Sequence, residues 1–194
     1  YLAAFTGFFG QGTYYPSGGW SVMVPAQAVY DTWEDGDYRK EVCFDAEALD
    51  NAGNVIPYTN YSSLDGRNAN RPHISKYTAM AGDLPQANTS GRDSHSNYQL
   101  MRYAEVLLIA AEAALRAGDS AKALSYLNNI PNLRRATPYT EATLDNILKE
   151  RRKELYMEAP GRFYDLVRTG QGMPSVDLVK QMNDDLTGQP PSFG

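Results

Sequence analysis

The apolar positions of this chain fall into helical spacing between Tyr98 and Gly170 and keep no sustained period before it. The stretch YQLMRYAEVLLIAAEAAL predicts a helix beginning after Ser96, whose side chain fits a capping box with Gln99. On a helical projection Leu100, Tyr103, Leu107, Ala111 and Ala114 line one broad face. Arg102, Glu105, Glu112 and Arg116 gather in a separate stripe, with Arg102–Glu105 and Glu112–Arg116 spaced for ion pairs. Gly118 ends this helix and Asp119 caps the next, which carries Ala123, Leu124, Leu127 and Ile130 until Pro131 stops it. A third helix is predicted over 141–158, with Leu144, Ile147, Leu148 and Leu155 as its stripe and Arg151 projecting into the middle of it. After Pro160-Gly161, Arg162 to Arg168 predicts a short helix with Phe163, Leu166 and Val167 facing in, and Val176 to Leu186 a further amphipathic one.

Residues 1–97 read differently. YLAAFTGFFGQGTYYPSGGW mixes aromatics with glycines that break helices, and predicts a strand near Leu2 to Phe5 and then a loop displaying Phe8, Phe9, Tyr14, Tyr15 and Trp20. Pro25 opens a helix through PAQAVYDTWEDGD, with Val29, Tyr30 and Trp33 on one face and Gly36 as its stop. Glu34, Asp35 and Asp37 lack the alternating ligands of a calcium loop and read as a solvated helix end. Val42 to Phe44 reads as a strand, with Val55 to Tyr58 returning as its hairpin partner after the turn at 50–54. Residues 60–97 are largely irregular, and neither His73 nor His95 has a helical partner for a metal.

Composition narrows the classes further. A net charge of -5, with no basic run longer than Arg151-Arg152-Lys153, argues against a nucleic-acid partner. The single cysteine, Cys43, excludes an internal disulfide and a cysteine-based metal site, and nothing in the sequence calls for a cofactor. No apolar run reaches the ~20 residues of a membrane helix. The start at Tyr1, without methionine or signal, points to a processed or partial chain. With 14 Tyr against 6 Phe, much of the aromatic surface carries a hydroxyl. Rings on the glycine-rich loop suit stacking on sugars, with Trp20, Tyr14 and Tyr15 the candidate ligand contacts; for any single ring, pinning the loop to the core is the weightier reading.

Glu150, Glu154 and Glu158 stack at i,i+4, which is repulsive unless cations neutralise them. An unpaired buried charge is costly, so Arg102, Glu105, Arg151, Glu154, Glu158, Arg162, Asp165 and Arg168 are expected to form one structural ion network. Arginines one turn away hold carboxylates ionised, which opposes a glycosidase acid. With no Ser/His/Asp arrangement, metal cluster or phosphate loop, the reading is not an enzyme.

These motifs resemble the C-terminal part of the SusD/RagB family. The resemblance rests on Arg-Tyr-Ala-Glu at 102–105, Ala-Glu-Ala at 111–113, Glu-Arg-Arg-x-Glu-Leu at 150–155 and Asp-Leu-x-Arg at 165–168. Asp37-x-Arg39 and the segment from His73 to Lys76-Tyr77 match upstream in the same order. The family consists of surface-exposed outer-membrane nutrient-binding lipoproteins of Bacteroidetes.

The resemblance implies a mainly α, SusD-like fold: a tetratricopeptide-type helix pair plus a loop-rich region with a few short strands. The organisation expected is a loop-rich ligand face over 1–97, a helical core over 98–170 and a C-terminal segment over 171–194. The function implied is non-catalytic capture of oligosaccharides for a SusC-like TonB-dependent transporter. The site is the outer surface of the outer membrane, reached through a lipid anchor not present in this sequence. A RagB-like peptide-binding subunit and a tetratricopeptide-type protein–protein scaffold are the alternatives.

Overall fold

The computed structural model describes residues 22–49, 52, 54–63, 70–76, 100–158 and 161–170. They are mainly helical and belong to two compact units, Tyr1–Tyr98 and Gln99–Gly194. The expected strand at Leu2 to Phe5, the aromatic loop, His95, the Ser96 cap and the helix at Val176 to Leu186 lie outside the described residues.

In the first unit the helix read from Pro25 is short. Helix α1 spans Gln27–Asp31 and closes on Thr32, whose hydroxyl donates to the Ala28 carbonyl at 2.7 Å. Gly36, at a left-handed φ of 92°, then turns the chain into helix α2, Tyr38–Cys43. Val42 and Cys43 are therefore helical, a correction to the strand expected there. Asp37 caps α2 and accepts from the Arg39 amide, so the local capping bond selects helix over strand. Strand β1 is reduced to Phe44–Asp45 and pairs antiparallel with β4, His73–Ile74. Strand β2, Glu47–Leu49, takes the hairpin role beside β3, Val55–Pro57, with Ala48 opposite Ile56. Tyr58 leaves the hairpin to open a 3-10 turn, Tyr58–Ser63, which delivers Tyr61 to the core against Ala48.

Among the described residues, the second unit has a three-helix core with a fourth helix attached. Helix α3, Tyr103–Arg116, and α4, Ser120–Leu133, are joined through Gly118 at a φ of 83° and capped by Asp119, whose side chain accepts from the Lys122 amide at 3.0 Å. Helix α5, Leu144–Glu154, is capped by Thr143. Leu108 and Ala111 of α3 meet Leu127 and Ile130 of α4 and Ile147 of α5, all at most 2% exposed. Burying such a side chain stabilises by about 1.5–3 kcal/mol. Helix α6, Gly161–Thr169, follows.

Four expectations are corrected in this unit. Helix α3 starts at Tyr103, with Leu100 and Tyr103 81% and 75% exposed, so the buried face is centred one residue round from the one expected. Pro131 does not stop α4, which runs to Leu133 around the buried ring; the missing N–H costs one bond, and packing of the ring compensates. Helix α5 ends at Glu154, and Met157 in a left-handed conformation takes Glu158 out of the carboxylate ladder. In α6, Phe163 and Val167 are 54% and 48% exposed while Asp165 is buried, because the helix is held by its charged side rather than its apolar one.

Candidate functional site

Arginine–carboxylate chemistry organises the second unit. Arg102, just before α3, donates from Nε to Glu158 Oε2 at 2.7 Å and from Nη1 to Glu154 Oε1 at 2.9 Å. Its Nη2 reaches both the Glu154 carbonyl and Glu158 Oε1. Arg134 completes a clamp on Glu154 with bonds of 3.1 and 2.8 Å. Burial alone would raise the Glu154 carboxyl, but the two guanidinium groups outweigh it and hold it below the usual range. Glu154 and Glu158 are thus each paired with arginine, while Glu150 accepts a hydrogen bond from the Tyr139 hydroxyl at 3.0 Å.

Arg151, 5% exposed, forms a second node. Its Nε donates to Asp165 Oδ2 at 3.0 Å and its Nη2 reaches Glu105 Oε1 at 3.4 Å. Arg168 binds Asp165 Oδ1 and, at 2.7 Å, Glu112 Oε1, which Arg116 also contacts. The Arg168 and Arg116 bonds hold Glu112 below its ordinary range. The expected Arg102–Glu105 pair is replaced: Arg102 turns to Glu154 and Glu158, and Glu105 to Arg151. Arg102 precedes the helix, so its side chain is not bound to the i,i+3 geometry. Arg162 forms no ion pair within the network among the described residues, and its buried Nη1 has no hydrogen-bond partner. Arg134 and Glu112 join without having been expected in the network; for Arg134 only Leu-Arg-Arg after Pro131 signals it.

In the first unit, Asp37 is fully buried rather than part of a solvated acidic end. Its carboxylate accepts from the Trp33 indole at 3.0 Å and from Arg39 Nε and Nη2 at 2.9 and 2.8 Å. Burial would raise its carboxyl, but the Arg39 bonds and charge and the Trp33 bond hold it low. Asp35 stays at the surface, paired with Lys40 at 2.7 Å. Beside this knot Tyr30 meets Phe44 and Tyr58 edge to face, at 5.4 and 5.5 Å, with the Lys40 ammonium 4.8 Å over its ring. Gln27 donates to the Tyr58 hydroxyl at 3.3 Å and to Asp31 at 2.8 Å. This half-buried aromatic group with amide, hydroxyl and carboxylate at its edge went unread in the sequence. Its parts lie some thirty residues apart and only the fold unites them.

Trp20, Tyr14 and Tyr15 lie outside the described residues. Among the described residues no His/Cys/Asp/Glu group is placed to hold a metal ion, and no helix is long and apolar enough to cross a membrane. His73 is buried, its ring tilted against that of Tyr61 with centroids 5.4 Å apart, and its Nδ1 lies 3.1 Å from the Arg71 carbonyl. Glu154, Glu112 and Asp37 are ion-paired, and their carboxyls are held below the ordinary range.

The model of the SusD family matches residues 26–189. The chain belongs to the SusD family. This SusD-family chain is 41% identical to SusD-like protein P2 of Formosa agariphila over 186 residues, covering 89% of itself and 36% of that relative. It is 25% identical to surface glycan-binding protein A from Bacteroides thetaiotaomicron, with a TM-score of 0.65, covering 87% of itself and 37% of that chain. The same protein solved in complex with laminarihexaose superposes with a TM-score of 0.63. The chain therefore spans about a third of the length of these relatives. Within a SusD-family protein, the arginine–carboxylate motifs that carried the resemblance are structural ties between helices.

Proposed function

We propose that this protein is a non-catalytic glycan-capturing component of an outer-membrane uptake complex. The observation that carries the reading is its likeness, at 25% identity and a TM-score of 0.63, to a surface glycan-binding protein solved with laminarihexaose. The chemistry agrees: carboxylates tied to arginines do not serve as general acids, whereas rings with polar edges stack on pyranose faces and bond their hydroxyls. Trp20, Tyr14 and Tyr15 are the stacking residues of this proposal. The protein delivers its oligosaccharide to a SusC-like TonB-dependent transporter and is held at the cell surface by a lipid anchor.

Isothermal titration against a panel of oligosaccharides, laminarihexaose included, tests the reading. At least one glycan should give heat, and Trp20→Ala should weaken that binding by roughly tenfold, about 1.4 kcal/mol. No reducing ends should appear on prolonged incubation. Absence of heat with every glycan, or recovery of the protein with bound peptide in native mass spectrometry, would overturn it.

A further inference from the structure

Four side chains of the first unit bring polar ends together beside the Asp37 knot without exhausting them. Asp31 can only accept, so the Gln27 amide nitrogen faces it, at 2.8 Å, and also reaches the Tyr58 hydroxyl at 3.3 Å. Among the described residues nothing pairs with the Gln27 carbonyl oxygen, the second Asp31 oxygen, the Tyr58 proton or the Tyr30 hydroxyl. Gln27, Tyr30 and Tyr58 are half-buried and Asp31 is exposed, and the Gln27 oxygen and the Tyr30 hydroxyl are open to solvent. The group is held from behind. Tyr30 packs edge to face on the buried Phe44 at 5.4 Å and on Tyr58 at 5.5 Å, and the Tyr58 amide donates to the Ala46 carbonyl at 2.8 Å. Lys40 sits 4.8 Å over the Tyr30 ring, so that face is taken and the ring offers its hydroxyl rim instead.

We propose that Gln27, Tyr30, Asp31 and Tyr58 form a hydroxyl-reading subsite for a neutral pyranose, an assignment that rests on the glycan-capturing reading above. Two acceptors, Gln27 Oε1 and the free Asp31 oxygen, take protons from neighbouring sugar hydroxyls, while the two tyrosine hydroxyls donate to sugar oxygens. Fixed donors and acceptors on a packed aromatic base select a ligand that presents several hydroxyls at once, since each unmatched group costs affinity. Local charge makes that ligand neutral. The Lys40 ammonium is already engaged by Asp35 at 2.7 Å and by the Trp33 carbonyl at 3.0 Å. A uronate or sulfate group at this edge therefore meets the Asp31 carboxylate, a like charge, without a free cation to offset it.

Titration of the 194-residue chain with the oligosaccharide panel, to which hexagalacturonate is added, tests the subsite. Tyr58→Phe removes one hydroxyl and keeps the ring that packs on Tyr30; Gln27→Ala removes the amide. Each should weaken the tightest neutral glycan roughly tenfold at an unchanged melting temperature. Hexagalacturonate should bind more weakly than that glycan. Absence of heat from the whole panel overturns the glycan-capturing reading and the subsite with it. Heat that persists at wild-type affinity in both variants overturns the subsite alone. So does weakening matched by a fall in melting temperature, which makes these polar atoms structural, and so does hexagalacturonate as the tightest ligand, which contradicts a neutral sugar.

Discussion

Arg151 and Asp165 meet at 3.0 Å across the break between α5 and α6, both nearly buried. Arg151 occupies the stripe of α5 that otherwise packs Ile147, Leu148 and Leu155, so it brings a charge into an apolar layer. The charge is tolerated because Asp165 and Glu105 come to it from two other helices. Arg151→Ala leaves Glu105 buried without its cation and Asp165 with Arg168 alone, and should destabilise the second unit by about 3–5 kcal/mol in urea denaturation. Removing Arg116, which is largely exposed, should cost under about 1 kcal/mol in the same experiment.

Asp37 holds three partners at once: the Trp33 indole, the Arg39 guanidinium and the Arg39 amide that starts α2. Asp37→Ala should destabilise the first unit by about 3–5 kcal/mol, since it takes the carboxylate away from the buried Arg39 Nε and Nη2 as well as removing a cap. Trp33 should report the loss by a red-shifted emission at lower urea concentration.

Acid should act in two stages. Burial pushes the His73 ring down to about 4 from 6.5, so below pH 6.5 the unfolded chain takes a proton that the folded one refuses. Stability of the first unit is therefore full above pH 6.5 and falls between there and pH 4, by about 3 kcal/mol in all. His73→Gln should flatten that limb. The carboxyls of Glu154, Glu112 and Asp37 are held below their unfolded values, so their contribution is present above the ordinary carboxyl range and lost as pH falls beneath it. The test is ΔG of unfolding from urea titrations across pH 3 to 8, roughly the span of these groups.

Leu108 and Ile109 are neighbours on α3, one fully buried and the other 48% exposed. Leu108→Ala should cost about 2–5 kcal/mol through the cavity it opens, and Ile109→Ala about 0.5 kcal/mol or less. Similar costs would mean that the face of α3 is misassigned.

The helices of the second unit were legible because their signals are local. Gly118 and Asp119 mark the turn between α3 and α4, and Leu127, Ile130, Ile147 and Leu148 sit at helical spacing and are buried. The first unit was less legible. Its hydrophobic runs are too short for periodicity to separate helix from strand, and Val42-Cys43 went to helix through one capping carboxylate. The residue types of the ion ties were readable; their partners were not, since Arg102 reaches 56 positions ahead to Glu158.

By itself the sequence determined the helical class, the family and the fact that its many charges must be neutralised, because period, caps and motif order are properties of neighbouring residues. Only the tertiary structure decided which arginine meets which carboxylate and that Asp37 and His73 are buried. It also decided that α6 turns its apolar side outward. Those outcomes depend on which groups lose water together, and that is set by the approach of segments far apart in the chain. For Asp165, charge-assisted contacts to Arg151 and Arg168 fix the side of α6 that turns inward.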